Sequence, residues 1–409
     1  MPRLCLGTHR TRLRLAYWQR SDGSIEAEPR ALGSQAEPGN QIVELLMDGS
    51  NYRWPAEWEP HDATWIAWPF DEDDWPDRFG PIPWVFGEVV RHLSKVERVR
   101  ILVNEANEAE ARKLLHRIGV SEERVFLRQV VTDRVWTRDY LPTFVQRADG
   151  RIAAMKWRFS GWAKYPNWQN DDRAGRLICQ SVQTPSWVPF DEPGDIPLET
   201  PAWKGQPFVL EGGAIDGNGA GTLLTTEECL LSADVQSRNP GMSREEYEAM
   251  FARCLGIRQT IWLKRGIAGD DTHGHVDDLA RFVNPNTVVA ASEEDNGDVN
   301  YEPLRENLEL LRAATTADSE PLTVVPLSMP APRQCDGQRL PASYANFYIA
   351  SGLVIVPTFN DPNDRRALDT LAALFPGRTV VGIYCGDLVW GLGTIHCMTQ
   401  QQPAQGLAR

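Results

Sequence analysis

The run Arg98-Val99-Arg100-Ile101-Leu102-Val103 passes through Asn104 into Glu105 to Ile118 (EANEAEARKLLHRI), and this pairing decides the fold class. The first run is short and rich in β-branched and apolar residues, as a buried strand is, whereas the second carries its apolar residues at helical spacing. A strand followed by an amphipathic helix is one αβ unit. The same rhythm returns from Thr222 to Leu231 (TLLTTEECLL) and Ser243 to Leu255 (SREEYEAMFARCL), where Ser243 and Glu246 have the spacing of a capping box. It returns again with a helix over Asn300 to Ala314, a strand over Leu322 to Pro326, a nearly continuous apolar strand region over Phe347 to Pro357, a helix over Pro362 to Phe375 and a strand over Thr379 to Tyr384. The expected class is mixed α/β. Residues 68–84 and 157–207 are rich in Trp and Pro and lack periodicity, so they read as long surface loops, which in compact domains are often functional.

The whole chain has 409 residues, 42 % hydrophobic and 24 % charged, enough to bury a large core. Its 42 Lys and Arg against 56 Asp and Glu leave a net charge of −14, which argues against a nucleic-acid binder and favours cationic partners. No apolar run reaches the roughly 18 residues of a membrane helix. The first twenty residues hold five arginines and no acid, but lack the apolar core of a secretory signal. Residues 1–46 read as a loosely ordered extension, Met47 as an alternative start, 47–404 as one catalytic domain and 405–409 as a tail. The seven cysteines form no CxxC pair, which points to neither a disulfide scaffold nor a zinc ribbon, and a cytoplasmic protein is expected.

Four segments combine glycines with chemically capable side chains. Trp136-Thr137-Arg138-Asp139 follows the strand expected over Val125 to Val131 and puts Asp139 at a strand end or loop, where a surface pair with Arg138 is the plain alternative. In Leu210-Glu211-Gly212-Gly213 an acid follows an apolar strand and meets two glycines, which a simple turn would also explain. Gly269 to Asp278 (GDDTHGHVDD) holds two histidines and four carboxylates. In extended chain His273 and His275 point to opposite faces, so a metal pair is discounted, while His275 and Asp277 share one face as an acid/base beside a cation anchor. Gly391 to Met398 (GLGTIHCM) ends in Cys397, which is either a buried hydrophobe or a nucleophile that a neighbouring cation would help to ionise. Cys229 and Cys254 fall in apolar patterns and are assigned to the core. A thiol, a histidine and paired carboxylates without a metal cluster suit covalent attack on a guanidinium, whose N–H forks need two carboxylates.

At this point the chain resembles the agmatine deiminase family, among the peptidylarginine-deiminase-like, guanidino-group-modifying enzymes. The resemblance rests on an ordered set: Pro55 to His61 (PAEWEPH), Trp136 to Asp139, Leu210 to Gly213, Gly221 to Leu231 (GTLLTTEECLL), Arg238-Asn239-Pro240, Asp270 to Phe282 (DDTHGHVDDLARF), Ala342 to Tyr348 (ASYANFY) and Ile395 to Pro403 (IHCMTQQQP). It implies a pentein fold, five pseudo-symmetric ββαβ units around a central active-site funnel. By the same carry-over, Cys397 is the nucleophile, His275 the general acid/base and Glu211 the acid that orients it. Asp139 and Asp277 grip the guanidinium, and Trp136 and Asp271 complete the substrate set. No metal or cofactor is implied, and a homo-oligomer is compatible. Two positions depart from the family pattern: Leu141 stands where glycine is usual, and His273 where Asp or Asn is common. Trp75, Trp84, Trp162 and Trp168 are expected to read the substrate beyond its guanidinium.

The leading expectation is a C–N hydrolase that converts agmatine and water to N-carbamoylputrescine and ammonia through a Cys-bound amidino intermediate. A deiminase of peptidylarginine or free arginine, giving citrulline, is the nearest rival. Amidino transfer and a catalytically dead guanidine-binding protein rank below, and a Cys-His protease would not need paired carboxylates. Neither nucleic acid nor membrane enters as a partner.

Overall fold

The computed structural model describes residues 52–148, 150–183 and 201–405. The extension expected over 1–46, the start at Met47 and all of the 405–409 tail except Gln405 lie outside the described residues.

Strands that are buried along their length are the organising elements. Thr222–Thr226 is buried at all five positions and Leu353–Thr358 at all but the last, as strands covered on both faces must be. Four sheets share one plan, in which a central strand has an antiparallel neighbour on one side and a parallel neighbour, reached through a helix, on the other. His61–Ala67 lies between Gln400–Pro403 and Arg98–Val103, with helix Ile82–Leu93 as the crossover. Thr222–Thr226 lies between Asp216–Gly217 and Gln259–Leu263, with helix Arg244–Leu255. Thr287–Ser292 lies between Ala280–Asn284 and Thr323–Ser328, with helix Tyr301–Ala313. Leu353–Thr358 lies between Tyr348–Ala350 and Thr379–Tyr384, with helix Asn363–Leu374. The first of these sheets gains Val125–Gln129, parallel to Arg98–Val103 across helix Glu105–Arg117. A fifth sheet, Tyr52–Arg53, Thr143–Arg147 and Ile152–Met155, is antiparallel throughout.

Local chemistry explains the helices. Glu105–Arg117 carries Glu105 and Glu108 in its first turn and His116 and Arg117 in its last, matching its dipole. The capping box of Ser243 and Glu246 is formed as its spacing predicts. Gly87 lets helices Ile82–Leu93 and Glu105–Arg117 approach closely, since a Cβ there would meet the Leu114 and Ile118 side chains at 2.7 and 2.8 Å. No helix among the described residues is long and apolar enough to cross a membrane.

Two expected elements differ. The apolar region Phe347 to Pro357 is a hairpin of Tyr348–Ala350 and Leu353–Thr358, turned at Ser351 and Gly352 with Gly352 at φ 74°. Both arms are apolar, so hydrophobicity alone hides the break. The stretch 157–207 contains helix Gln169–Gln183, which packs on Ile152–Met155. Its buried face includes the acids Asp171 and Asp172 beside Ala174 and Ile178, which mask the apolar period. Asp171 accepts from the backbone N–H groups of Asp133 and Arg134, and Asp172 pairs with Lys156 at 3.0 Å.

These sheets deliver short connecting segments to one place. The helical turns Thr137–Tyr140, Gly212–Ala214 and Val276–Asp278 touch one another in sequence. Strand Gln400–Pro403, paired with His61–Ala67, anchors the segment holding Cys397 beside them, where Arg138 N donates to the Cys397 carbonyl at 3.1 Å.

Candidate active site

A cavity of about 300 Å³ opens at this convergence, with Cys397, Asp139 and Trp136 in its inner wall. His275, Asp277 and Glu211 lie beneath that wall, each fully buried.

The geometry starts from the nucleophile candidate. Cys397 Sγ accepts from Asn346 Nδ2 at 3.1 Å and lies 3.8 Å from Asp277 Oδ2. Asn346 acts as a buckle for the whole segment: its Oδ1 accepts from Thr394 Oγ1 at 2.7 Å and His396 N at 2.9 Å, and its Nδ2 also donates to Asp278 at 3.0 Å. Burial, followed by the charges of Asp277, Asp278 and Asp139, pushes the Cys397 thiol well above its ordinary range. These surroundings favour the thiol over the thiolate.

Asp139 sits in a single helical turn rather than at a strand end, and its side chain is buried. One oxygen accepts from Trp162 Nε1 at 2.9 Å and the other from Gly213 N at 3.0 Å. Burial, with Asp277 and Glu211 nearby, raises it to about 6. The surface pair with Arg138 does not form. Arg138 instead points away, to Gln401 at 2.6 Å and Glu57 at 3.4 Å.

His275 precedes a 3-10 turn, Val276–Asp278, so the expected strand face is replaced by a bend. The bend brings its Nδ1 to 3.8 Å from Asp139 and its Nε2 to 3.8 Å from Glu211, ion-pairing rather than hydrogen-bonding distances. Burial opposes its charge, but Asp139 and then Cys229 and Glu211 outweigh this and hold its proton well above the usual histidine range. Glu211 is itself neutralised by the Arg238 Nε at 3.3 Å, and Arg238 also donates to the Thr272 carbonyl at 2.6 Å. Asp277 Oδ2 meets His396 Nδ1 at 2.6 Å, while its Oδ1 has no hydrogen-bond partner.

Other expected residues separate. Trp136 lines the cavity and packs on the fully buried Trp75, whose indole N–H donates to the Leu388 carbonyl at 2.9 Å. Asp271 lies at the mouth, paired with Lys164 and accepting from the Tyr165 hydroxyl at 2.7 Å. Trp162 lines the cavity, but Trp84 is exposed beneath Arg117 and Trp168 lies under Arg158. Leu141 is core, at φ −77°, and does not line the cavity, so its turn makes no demand for glycine. His273, at φ 64°, faces Glu228 at 4.0 Å, outside the cavity. Cys254 is core, and Cys229 is buried core that also touches the site.

Glu211, Cys229 and His275 place one ligand atom each within 4.8 Å of one another, the only such metal-capable group among the described residues. The Arg238 guanidinium already neutralises Glu211, which makes this a poor seat for a dication. What the arrangement favours is a planar monocation. Asp139 and the Cys397 thiol line the cavity, and Asp277 and His275 lie buried behind them.

The sequence profile of the Porphyromonas-type peptidyl-arginine deiminases matches residues 53–403, and the chain belongs to that family. It is 34 % identical over 381 residues to the agmatine deiminase of Ectopseudomonas mendocina, covering 86 % of this chain and 96 % of that one. Among solved structures it is similar to the agmatine deiminase of Enterococcus faecalis, at 31 % identity and a TM-score of 0.76, with 87 % and 97 % of the chains covered. It is also similar to a substrate-bound agmatine deiminase of C. jejuni, at 26 % identity and a TM-score of 0.74 over 87 % and 97 %.

Proposed function

We propose that this chain is an agmatine deiminase, hydrolysing agmatine to N-carbamoylputrescine and ammonia through a covalent intermediate on Cys397. The observation that carries this is the convergence of Asp139, Asp277 and His275 on one point beside the thiol: a Cβ built on Gly213 would lie 2.9, 3.0 and 2.6 Å from them. A space ringed by two carboxylates suits a guanidinium.

The guanidinium enters between Asp139 and Asp277, against the flat wall of Trp136. Its charge offsets the burial and the carboxylates that keep Cys397 protonated, so the thiol releases its proton to water in the cavity as substrate binds. The thiolate attacks the guanidinium carbon. His275, held protonated by Asp139 and Glu211, gives its proton to the departing nitrogen, which leaves as ammonia. The neutral imidazole then takes a proton from water as that water attacks the amidino-thioether carbon. The adduct then gives up its hydroxyl proton to water as the C–S bond breaks, which leaves the ureido product and the thiolate. Glu211, pinned by Arg238, orients His275 throughout.

At the mouth, Asp271, which also holds Lys164 and the Tyr165 hydroxyl, receives the primary ammonium, while Arg134 already covers the Trp162 and Tyr165 rings. A carboxylate at the mouth suits the free ammonium of agmatine and so favours it over a peptide. The further reading of the fold is a single pentein domain over 47–404, its five sheets pseudo-symmetric about the cavity. The recurring plan of four sheets supports it, and the fifth is its divergent member. We place the protein in the cytoplasm.

The test is ureido-product formation by the purified chain on agmatine, arginine and a short arginine peptide, with Cys397→Ala as control. Selective turnover of agmatine is expected. Turnover of the peptide alone would refute the substrate, and silence on all three would refute the reaction.

A further inference from the structure

His396, immediately before Cys397, has no task in the reaction as described, yet it is buried between two carboxylates. Its Nδ1 lies 2.6 Å from Asp277 Oδ2 and its Nε2 lies 2.9 Å from Glu57 Oε2. A neutral imidazole has one N–H and one lone pair, and would turn that lone pair on a carboxylate. Only the doubly protonated ring donates to both. Charges then alternate through the interior. Glu57 meets the Arg281 guanidinium at 2.8 Å, and Arg281 Nε donates to Asp216 at 2.6 Å. Arg138 is a second cation on Glu57, at 3.4 Å. The far end of this row is tied to backbone, since Ile349 N donates to Glu57 Oε1 at 2.7 Å and Arg281 donates to the Phe347 carbonyl at 2.8 Å.

The near end is left half free. Asp277 Oδ2 is taken by His396, while Oδ1 is buried and has no hydrogen-bond partner. We propose that His396 is a positioning residue: as an imidazolium braced by Glu57, it holds Asp277 as an anion in the orientation that receives a guanidinium. This rests on the guanidinium reading above. His396, His275, Arg281 and Arg138 face Asp277 as cations, and Cys397, Asp139 and Asp278 as acids. Burial pushes Asp277 up, and the bond and charge of His396, the foremost of the opposing groups, hold it below its ordinary value. Without His396 the balance tips toward a protonated Asp277.

The experiment is the pH dependence of kcat/KM for agmatine in the full chain and in His396→Gln, which keeps a donor but loses the cation. Asp139 sets the wild-type acid limb at about 6, so the expected result is an Asp277 step lifted to or above that limb, which steepens it or carries it upward, with about a tenfold loss there and a raised KM. A merely structural role would lower the yield of folded enzyme and leave the limb unchanged. A folded His396→Gln with an unchanged limb overturns the proposal. Should that variant not fold, nitrogen-15 NMR of the histidine-labelled wild type decides. Both ring nitrogens of His396 protonated at the pH of turnover is expected, and a neutral ring overturns the proposal. Wild-type silence on agmatine would instead overturn the guanidinium reading, so the two failures are distinct.

Discussion

Gly213→Ala is the sharpest single perturbation, because it adds one methyl group where the reacting groups meet. Gly213 is fully buried in the turn Gly212–Ala214, and its φ does not lie in the left-handed region, so the backbone accepts alanine. The conflict is with side chains. The new Cβ would stand 2.6 Å from His275 Nδ1, 2.9 Å from Asp139 Oδ1 and 3.0 Å from Asp277 Oδ2. These fall about 0.8, 0.5 and 0.4 Å short of the 3.4 Å at which ordinary contact begins. Two of the three are held in place, Asp139 by Trp162 and by the Gly213 N–H, and Asp277 by His396. Overpacking of this kind costs about 1–3 kcal/mol, a few degrees of melting temperature. Activity suffers more. A displacement approaching 1 Å at the reacting groups costs on the order of 100-fold in rate. The assay is kcat/KM for agmatine with a thermal melt in parallel, and Gly377→Ala, where an added Cβ meets nothing within 4 Å, as control. A Gly213→Ala enzyme within about threefold of wild type would show that substrate does not bind where these groups converge.

Cys397→Ala is expected to abolish ureido formation with the fold intact, whereas Cys254→Ala should lose about 1 kcal/mol of stability and keep turnover; product assays and melts on both decide. Because Asp139 must be ionised to grip a cation and is raised to about 6, kcat/KM should rise with pH through about 6, and Trp162→Phe, which removes a donor to Asp139, should move that limb upward in a pH profile. The sign for stability is opposite: the protonated carboxyl of the empty site favours the fold fully below its ordinary value and loses that contribution as pH rises through about 6, which melts of the ligand-free protein would show. Leu392 lines the cavity at φ 68°, so Leu392→Gly should relieve about 1–2 kcal/mol of strain, offset by the chain entropy of glycine. It should also open the wall, raising the relative use of an N-substituted arginine amide about tenfold, measured as a kcat/KM ratio. Asp271→Asn should raise KM for agmatine about tenfold with a smaller change in kcat, read from steady-state kinetics.

The αβ rhythm was legible because crossover helices keep a solvent face and so keep their period. It failed where that contrast disappears. The Phe347 to Pro357 hairpin is apolar on both arms, and helix Gln169–Gln183 buries two acids. The site was legible through chemical density: His275 and Asp277 crowd one segment, and Cys397 alone among the cysteines follows a histidine. Roles that depend on long-range partners were not. Asn346, Arg238 and His396 all lie in segments noted for other reasons, but Asn346 reaches the sulfur across 51 positions and His396 reaches Asp277 across 119. The Trp-rich loops misled for a related reason. Tryptophan content marks them as ordered but does not say which rings face the cavity, and Trp75 supports Trp136 from behind while Trp84 points outward.

One charge links binding, activation and release in this site. Asp139 and Asp277 are only partly balanced by His275 and His396, and burial together with the field of these carboxylates suppresses the thiolate. A guanidinium relieves that stress at one stroke, so the interaction that selects substrate also makes the nucleophile, and a neutral or anionic electrophile would gain neither. The product is an uncharged urea. Once it forms, the carboxylates again lack the substrate cation, the thiolate again lies in their field and takes back a proton, and nothing charged holds the ureido group in place. The same buried negative charge that would make this pocket costly in a purely structural protein therefore drives the cycle in one direction, binding the cationic reactant and expelling the neutral product.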